Sequence, residues 1–166
     1  AMTYANKEGT LLVIAAGNDS ADLQHDKNFI SLPNEGAQAV SVASTGPIGY
    51  GWDADGDGET SDLVAPPESP AFYTNYGTNA IKIAAPGGDA DLGAIGTGVP
   101  WFNDLVFNTV FSYVDTDGDD EPDTQVPGYG WKAGTSMAAP NVAGAAALVK
   151  SANPDYNANQ VESALK

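Results

Sequence analysis

Residues 134–150 read Gly-Thr-Ser-Met-Ala-Ala-Pro-Asn-Val-Ala-Gly-Ala-Ala-Ala-Leu-Val-Lys, a glycine turn feeding two hydroxyl residues into a run of small apolar side chains. No other stretch constrains the fold as tightly. The run predicts a helix. Apolar character on every side predicts one that is buried all round, with small residues letting neighbouring backbones approach closely. Thr135 is expected as the N-cap, its hydroxyl accepting a free N–H of the first turn. Ser136 then stands at the positive end of the helix dipole. Pro140 falls early in the helix, where a missing donor is better tolerated. A hydroxyl held at a buried helix start, in a fixed turn, is a candidate nucleophile; a plain capping role is the other reading of the same residue.

Upstream, residues 11–16 form a short continuous apolar run between Gly9-Thr10 and Gly17-Asn18. This is the pattern of a buried parallel strand that ends in a tight turn. Asn18 lies just past its carboxyl end, where open α/β sheets place ligand chemistry. Residues 37–44 alternate as a second strand, and 80–85 form a third that ends at Pro86-Gly87-Gly88. Residues 2–8 read as the tail of a helix. Asn157 reads as the cap of a short helix with Val161 and Leu165 on one face. His25, the chain's one histidine, sits beside Asp26 in an irregular polar stretch and reads as a surface loop residue.

Charge sets further limits. The 166 residues carry 22 acidic against 6 basic side chains, a net −16, which excludes nucleic acid and anionic membrane surfaces as partners. There is no cysteine, hence no disulfide frame and no thiolate metal site. No run reaches the length of a membrane span. Much of the acidity is concentrated in two places. Asp53, Asp55 and Asp57 alternate, with Gly58 in the sixth place, like the first half of an oxygen-donor calcium loop. The twelfth place holds Val64 instead of glutamate, and Asp62 could supply a later ligand. Asp115, Asp117 and Asp119 repeat the alternation, with Asp120 where the sharp-turn glycine would be. Both runs are candidate Ca2+ sites, and solvated acidic turns are the other reading. Residues 108–114 alternate polar and apolar and suggest a hairpin with the second acidic run at its tip.

Three of these motifs together resemble the subtilisin-like serine proteases (subtilases, peptidase family S8). They are Gly134-Thr135-Ser136-Met137-Ala138-Ala139-Pro140 with Val142-Ala143-Gly144 behind it, Ala15-Ala16-Gly17-Asn18, and Ala84-Ala85-Pro86-Gly87. The resemblance implies an α/β, three-layer fold with a mostly parallel sheet. It implies that residues 1–166 are the carboxyl-terminal portion of the catalytic domain, truncated on the amino-terminal side, with acidic insertions at about 46–70 and 89–128. It implies Ser136 as the nucleophile that opens a peptide bond through an acyl-enzyme. Asn18 would donate its side-chain amide to the oxyanion, and Ala15, Ala16 and Gly17 would line the pocket before the scissile bond. Asn141 departs from the histidine common there in the family. The family order of Asp, His, Ser places the acid and base ahead of Asn18, and residues 1–17 contain neither Asp nor His. The chain alone is therefore expected to be inactive, since a serine hydroxyl needs an adjacent base. The same resemblance implies a protein or peptide substrate, no cofactor for catalysis, a structural role for any Ca2+, and a secreted or cell-surface location. An uncovered sheet edge would favour a homo-oligomer or swapped dimer. The alternative is a non-enzymatic calcium-binding or adhesion-like module with a protease-like fold.

Overall fold

One strand is buried from end to end, and the other elements are arranged about it. The structure, a computed structural model, describes residues 1–26, 31, 34, 38–116, 118, 121 and 123–166. In chain order its elements are α1 (Met2–Lys7), β1 (Leu12–Ala15), β2 (Ala39–Thr45), β3 (Ile83–Pro86), a short 3-10 turn at Trp101–Asp104, β4 (Val106–Val114), β5 (Thr124–Lys132), α2 (Thr135–Ala152) and α3 (Ala158–Leu165). β1, β2 and β3 form a parallel sheet in that order, with Val13 opposite Val40 and Ala43 opposite Ala84. All seven residues of β2 are buried, as expected of a central parallel strand covered on both faces.

Helices α2 and α3 lie on one face of this sheet. Val40 and Val42 of β2, Ala85 of β3, and Ala138 and Val142 of α2 form the core cluster, with Leu11, Val13, Ile83 and Leu165 packed around it. Small residues on α2 bring its backbone close to the strands. Ser41, which alternates to the opposite face of β2, donates its hydroxyl to Asn34 Oδ1 at 2.8 Å. The short helix α3 is held by a capping box: Asn157 accepts from Gln160 N at 3.1 Å and Gln160 Oε1 accepts from Asn157 N at 2.9 Å.

Two expectations for α2 are corrected. The N-cap is Gly134 and not Thr135, which is the first helical residue. The helix is buried on one stripe only, at Thr135, Ala138, Val142 and Ala146, while Leu148 is 74% exposed. Uniform apolarity along α2 thus does not distinguish the buried stripe from the exposed side. Pro140 lies inside the helix and withholds the donor that would reach the Ser136 carbonyl. The next residue, Asn141, ties the helix to the sheet: its Nδ2 donates to Pro86 O at 2.8 Å and to Met137 O at 3.2 Å. The remaining two strands, β4 and β5, form a separate antiparallel hairpin, with the second acidic run between them as expected.

Candidate functional site at the β1 end and the α2 start

The carboxyl end of β1 turns sharply at Gly17, whose φ is +102°. A Cβ there would fall 2.4 Å from Asn75 Nδ2, so only glycine fits. Asn75 is fully buried and the loop wraps around it. Its Oδ1 accepts from Asp19 N at 2.9 Å and Ala21 N at 3.0 Å. Its Nδ2 donates to Ala16 O at 3.0 Å, and its own N–H to Gly17 O at 3.0 Å. Residues on both sides of Asn18 are therefore fixed by one side chain.

Asn18 itself is fixed from α2. Its Oδ1 accepts from Thr135 N and from Thr135 Oγ1, both at 2.9 Å. Thr135 Oγ1 in turn accepts from Gly17 N at 3.1 Å. Two donors on Oδ1 settle the orientation of the amide and turn Nδ2 toward the Gly134 turn. A point one bond out from the Gly134 Cα, where a Cβ would sit, is 3.4 Å from Asn18 Nδ2 and 3.7 Å from Ser136 N. As the second residue of α2, Ser136 has an N–H with no acceptor inside the helix. Two N–H groups therefore border one small space at the positive end of a helix, with Met137 Sδ 3.8 Å from the same point, and the exposed Ser136 belongs to the same first turn. Such a space can hold a developing oxyanion beside a nucleophile.

Of the three residues expected to line a pocket, Ala15 and Gly17 keep part of their surface open. Ala16 is completely buried, with its carbonyl taken by Asn34 and Asn75, each at 3.0 Å, so it presents no surface. His25 is engaged elsewhere: its Nδ1 lies 2.7 Å from Asp22 Oδ2, and its ring is largely exposed. That hydrogen bond holds the Asp22 carboxyl below its usual range.

A buried polar cluster supports the turn from behind. Gly134 N donates to Gly87 O at 2.9 Å. The Tyr73 hydroxyl donates to the carbonyls of Gly87 and Gly88 and receives the Ser44 hydroxyl at 2.7 Å. Burial pushes the Tyr73 phenol up and keeps its proton in place. Next to it, Asp89 accepts from Phe72 N and Ala90 N, and burial pushes its carboxyl up, with Asp104 adding to the shift. Asp104, 1% exposed, gathers Tyr50 N at 2.7 Å, Trp52 Nε1 at 2.8 Å and Gly49 N at 3.2 Å. Isolated Asn75, Asp104 and Trp52 carry no spacing signal in the sequence.

Asp53, Asp55 and Asp57 each bring one carboxylate oxygen within 4.8 Å of the others. Asp53 also caps the turn, accepting from Gly56 N at 2.7 Å and Gly58 N at 2.9 Å. Among the described residues, Asp62 and Asp115 do not join this group. Asp115 does repeat the first turn, accepting from Gly118 N at 2.7 Å. Asp117 and Asp119 lie outside the described residues.

A parallel α/β sheet with a strand-end amide bonded to the start of a helix defines the class of fold, and similarity narrows it. The Subtilase family model (Peptidase_S8) matches residues 1–166, and the chain belongs to that family. It is 30% identical over 154 residues to an extracellular protease of Xanthomonas campestris pv. campestris, covering 93% of this chain and 18% of the relative. It is 32% identical over 144 residues to an extracellular basic protease of Dichelobacter nodosus, covering 87% of this chain and 16% of the relative. Among solved structures, a protease of Pseudoalteromonas arctica superposes with a TM-score of 0.64 at 33% identity, covering 98% of this chain and 36% of that one. The chain thus spans under a fifth of the curated relatives' length.

Two outcomes follow from the geometry. Thr135→Val keeps the shape but leaves Gly17 N without its acceptor and takes away one of the two donors to Asn18 Oδ1, the Thr135 backbone N–H remaining. It should cost roughly 1–3 kcal/mol of stability, read by urea unfolding, and should move the Asn18 side-chain amide resonances. The second concerns acid. The raised Asp89 carboxyl binds its proton more tightly when folded, so this group's contribution to stability falls as pH rises through the folded value. Asp89→Asn should therefore be more stable than the parent at neutral pH. The gap should close as pH drops into the carboxylate range, measured as urea midpoints across pH.

Proposed function

We propose that this chain carries the nucleophile and oxyanion side of a serine endopeptidase of the subtilisin type. Residues 1–166 form the carboxyl-terminal part of its catalytic domain, and the acidic segments at about 46–70 and 89–128 are insertions. The observation that supports this best is the shared space over Gly134, bordered by Asn18 Nδ2 and Ser136 N at the start of the helix that carries Ser136. In this reading Ser136 Oγ attacks the carbonyl carbon of a peptide bond. The carbonyl oxygen becomes an oxyanion held by Asn18 Nδ2 and Ser136 N. Collapse expels the amine and leaves an acyl-enzyme that water cleaves. Thr135 is a positioning residue that aims Asn18. Ala15 and Gly17 lie beside the side chain that precedes the scissile bond.

A hydroxyl of ordinary acidity needs a base to attack. In this reading His25 is not that base, because the family order places acid and base ahead of Asn18, and the chain by itself is inactive. The named relatives are extracellular proteases, which supports a secreted or surface-exposed protein acting on proteins or peptides. Asp53, Asp55 and Asp57 would hold a structural Ca2+: carboxylate oxygens suit a hard cation, and the ion would offset their mutual repulsion. Asp62, Asp115, Asp117 and Asp119 are further candidates for such ions. A calcium-binding module without catalysis would use the same carboxylates, yet it gives no reason for the Asn18–Thr135–Ser136 arrangement.

A fluorophosphonate probe separates the two. The isolated chain should label slowly at Ser136, and addition of a polypeptide that supplies the acid and base should accelerate labelling, with Ser136→Ala abolishing it. Rapid stoichiometric labelling of the chain alone would contradict the missing base. Calcium is tested by melting. An ion at one hundred times its dissociation constant stabilises the folded form by about 2.7 kcal/mol. The melting temperature should therefore fall on adding chelator in the parent and not in Asp53→Asn/Asp55→Asn. Equal melting of the parent with calcium and with chelator would remove the metal from this reading.

A further inference from the structure

The hairpin made by β4 and β5 presents a face that nothing in the catalytic reading uses. Register places Phe107 opposite Trp131, Thr109 opposite Tyr129, Phe111 opposite Pro127 and Tyr113 opposite Gln125. Directly opposed residues share a face, so this face carries five aromatic rings and no charge. The rings are open to solvent: Phe107 is 54% exposed, Phe111 65%, Tyr113 62%, Tyr129 70% and Trp131 41%. At its inner end Phe107 stacks on Tyr129 at 5.7 Å and leans on Trp131 at 4.6 Å. Further out, a cleft of about 320 Å³ opens at Phe111, Tyr129 and Pro127, near the lower limit for small-ligand sites. A contiguous exposed apolar patch of this kind marks an interaction surface.

Charge selects the occupant. The connection between the two strands, residues 115–123, carries Asp115, Asp117, Asp119, Asp120, Glu121 and Asp123, and the only cation from 106 to 132 is Lys132 at the far end. Aromatic faces attract cations, and the carboxylates add a field of the same preference. A second copy of this chain, at net −16, would be repelled. Position selects the role: β5 ends at Lys132, and four residues later in the chain stands Ser136.

We infer that the aromatic face of the β4–β5 hairpin docks a cationic, extended polypeptide segment, a stretch of substrate outside the scissile bond. The inference rests on the peptidase reading above for the identity of that segment. An extended chain repeats its side chains on one face every two residues, the same spacing as Phe107, Thr109 and Phe111 along β4. Arginine or lysine side chains lie over the rings, and one apolar side chain enters the cleft. Asp115, Glu121 and Asp123 draw the segment in and set its affinity for basic sequences.

The test is isothermal titration of the protein at low salt with an octapeptide alternating Arg and Leu, and with its Glu-Leu counterpart. The Arg peptide should bind and the Glu peptide should not. Phe111→Ser/Tyr129→Ser should weaken the Arg peptide about tenfold or more, and raised ionic strength should weaken it further. Both rings are exposed, so these variants should melt with the parent; Asp115→Asn/Glu121→Gln gives a second reading without touching the rings. Ser136→Ala should bind as the parent does, so loss of catalysis and loss of docking are read separately. Equal binding of both peptides, binding untouched by the ring variants, or no binding would overturn the inference. So would a dimer that the ring variants dissociate, or tighter binding of a neutral oligosaccharide than of the Arg peptide.

Discussion

The Thr135 hydroxyl sits between the Gly17 N–H and the Asn18 carboxamide, joining positions 118 and 117 residues apart in the chain. Everything chemical in this molecule depends on that bridge. It closes the carboxyl end of β1 onto the amino end of α2, with the Thr135 hydroxyl withdrawn from water while Gly17 is half-buried and Asn18 exposed. Thr135 is 1% exposed. A hydrogen bond in such a place contributes modestly when made and costs heavily when one partner is deleted, which makes the geometry close to all-or-none. The bridge also decides a question that atoms alone leave open, namely which end of the Asn18 amide faces outward.

The bridge holds because both of its supports are rigid. β1 lies against a strand whose seven residues are all buried, and the loop that follows β1 encloses Asn75. On the other side, Gly134 is hydrogen-bonded to Gly87, whose carbonyl shares the Tyr73 hydroxyl with that of Gly88. A turn that carries exposed polar groups is thus backed by polar groups that are themselves satisfied. Among the described residues no buried side-chain polar atom lacks a partner. Local order at a site of this kind comes from such second contacts more than from the site residues themselves.

How much of this was legible in the sequence follows from the range of each interaction. The strands at β1, β2 and β3, the acidic hairpin connection and the Asn157 cap are local patterns, and each appears within two residues of where periodicity and turn chemistry place it, except that β3 starts three residues late, at Ile83. Motif order pointed from the Asn18 turn to the start of α2, and the two do meet there through Asn18 and Thr135. What failed was inference about faces and partners. Thr135 looks like a cap because hydroxyl residues before an apolar run usually are. The actual N-cap is Gly134, and the hydroxyl serves a strand far away in sequence. The composition of α2 is apolar all round, so the sequence carries no phase from which to choose its buried stripe. Asn75, Asp104 and Trp52 act through contacts 52 to 59 residues away, and no local rule reaches that far.

The acidic segments show how a chain at −16 stays folded near its own site. Self-repulsion is lowest when carboxylates stand on surface turns, and Asp53 and Asp115 do so while accepting backbone N–H groups that would otherwise be unpaired. Asp104 does the opposite. It is buried, with three N–H donors, and it pins residues 49–52 beside the turn that holds Asp89 and Gly88. One buried carboxylate therefore anchors the first acidic segment to the same backbone that supports Gly134. The second acidic segment reaches that backbone from the other direction, because β4 starts directly after Asp104 and β5 runs into Gly134. The first segment is thus held at the rim of the site by a short connection, whereas two nine-residue strands, roughly 30 Å long, carry the second run's charge away from it.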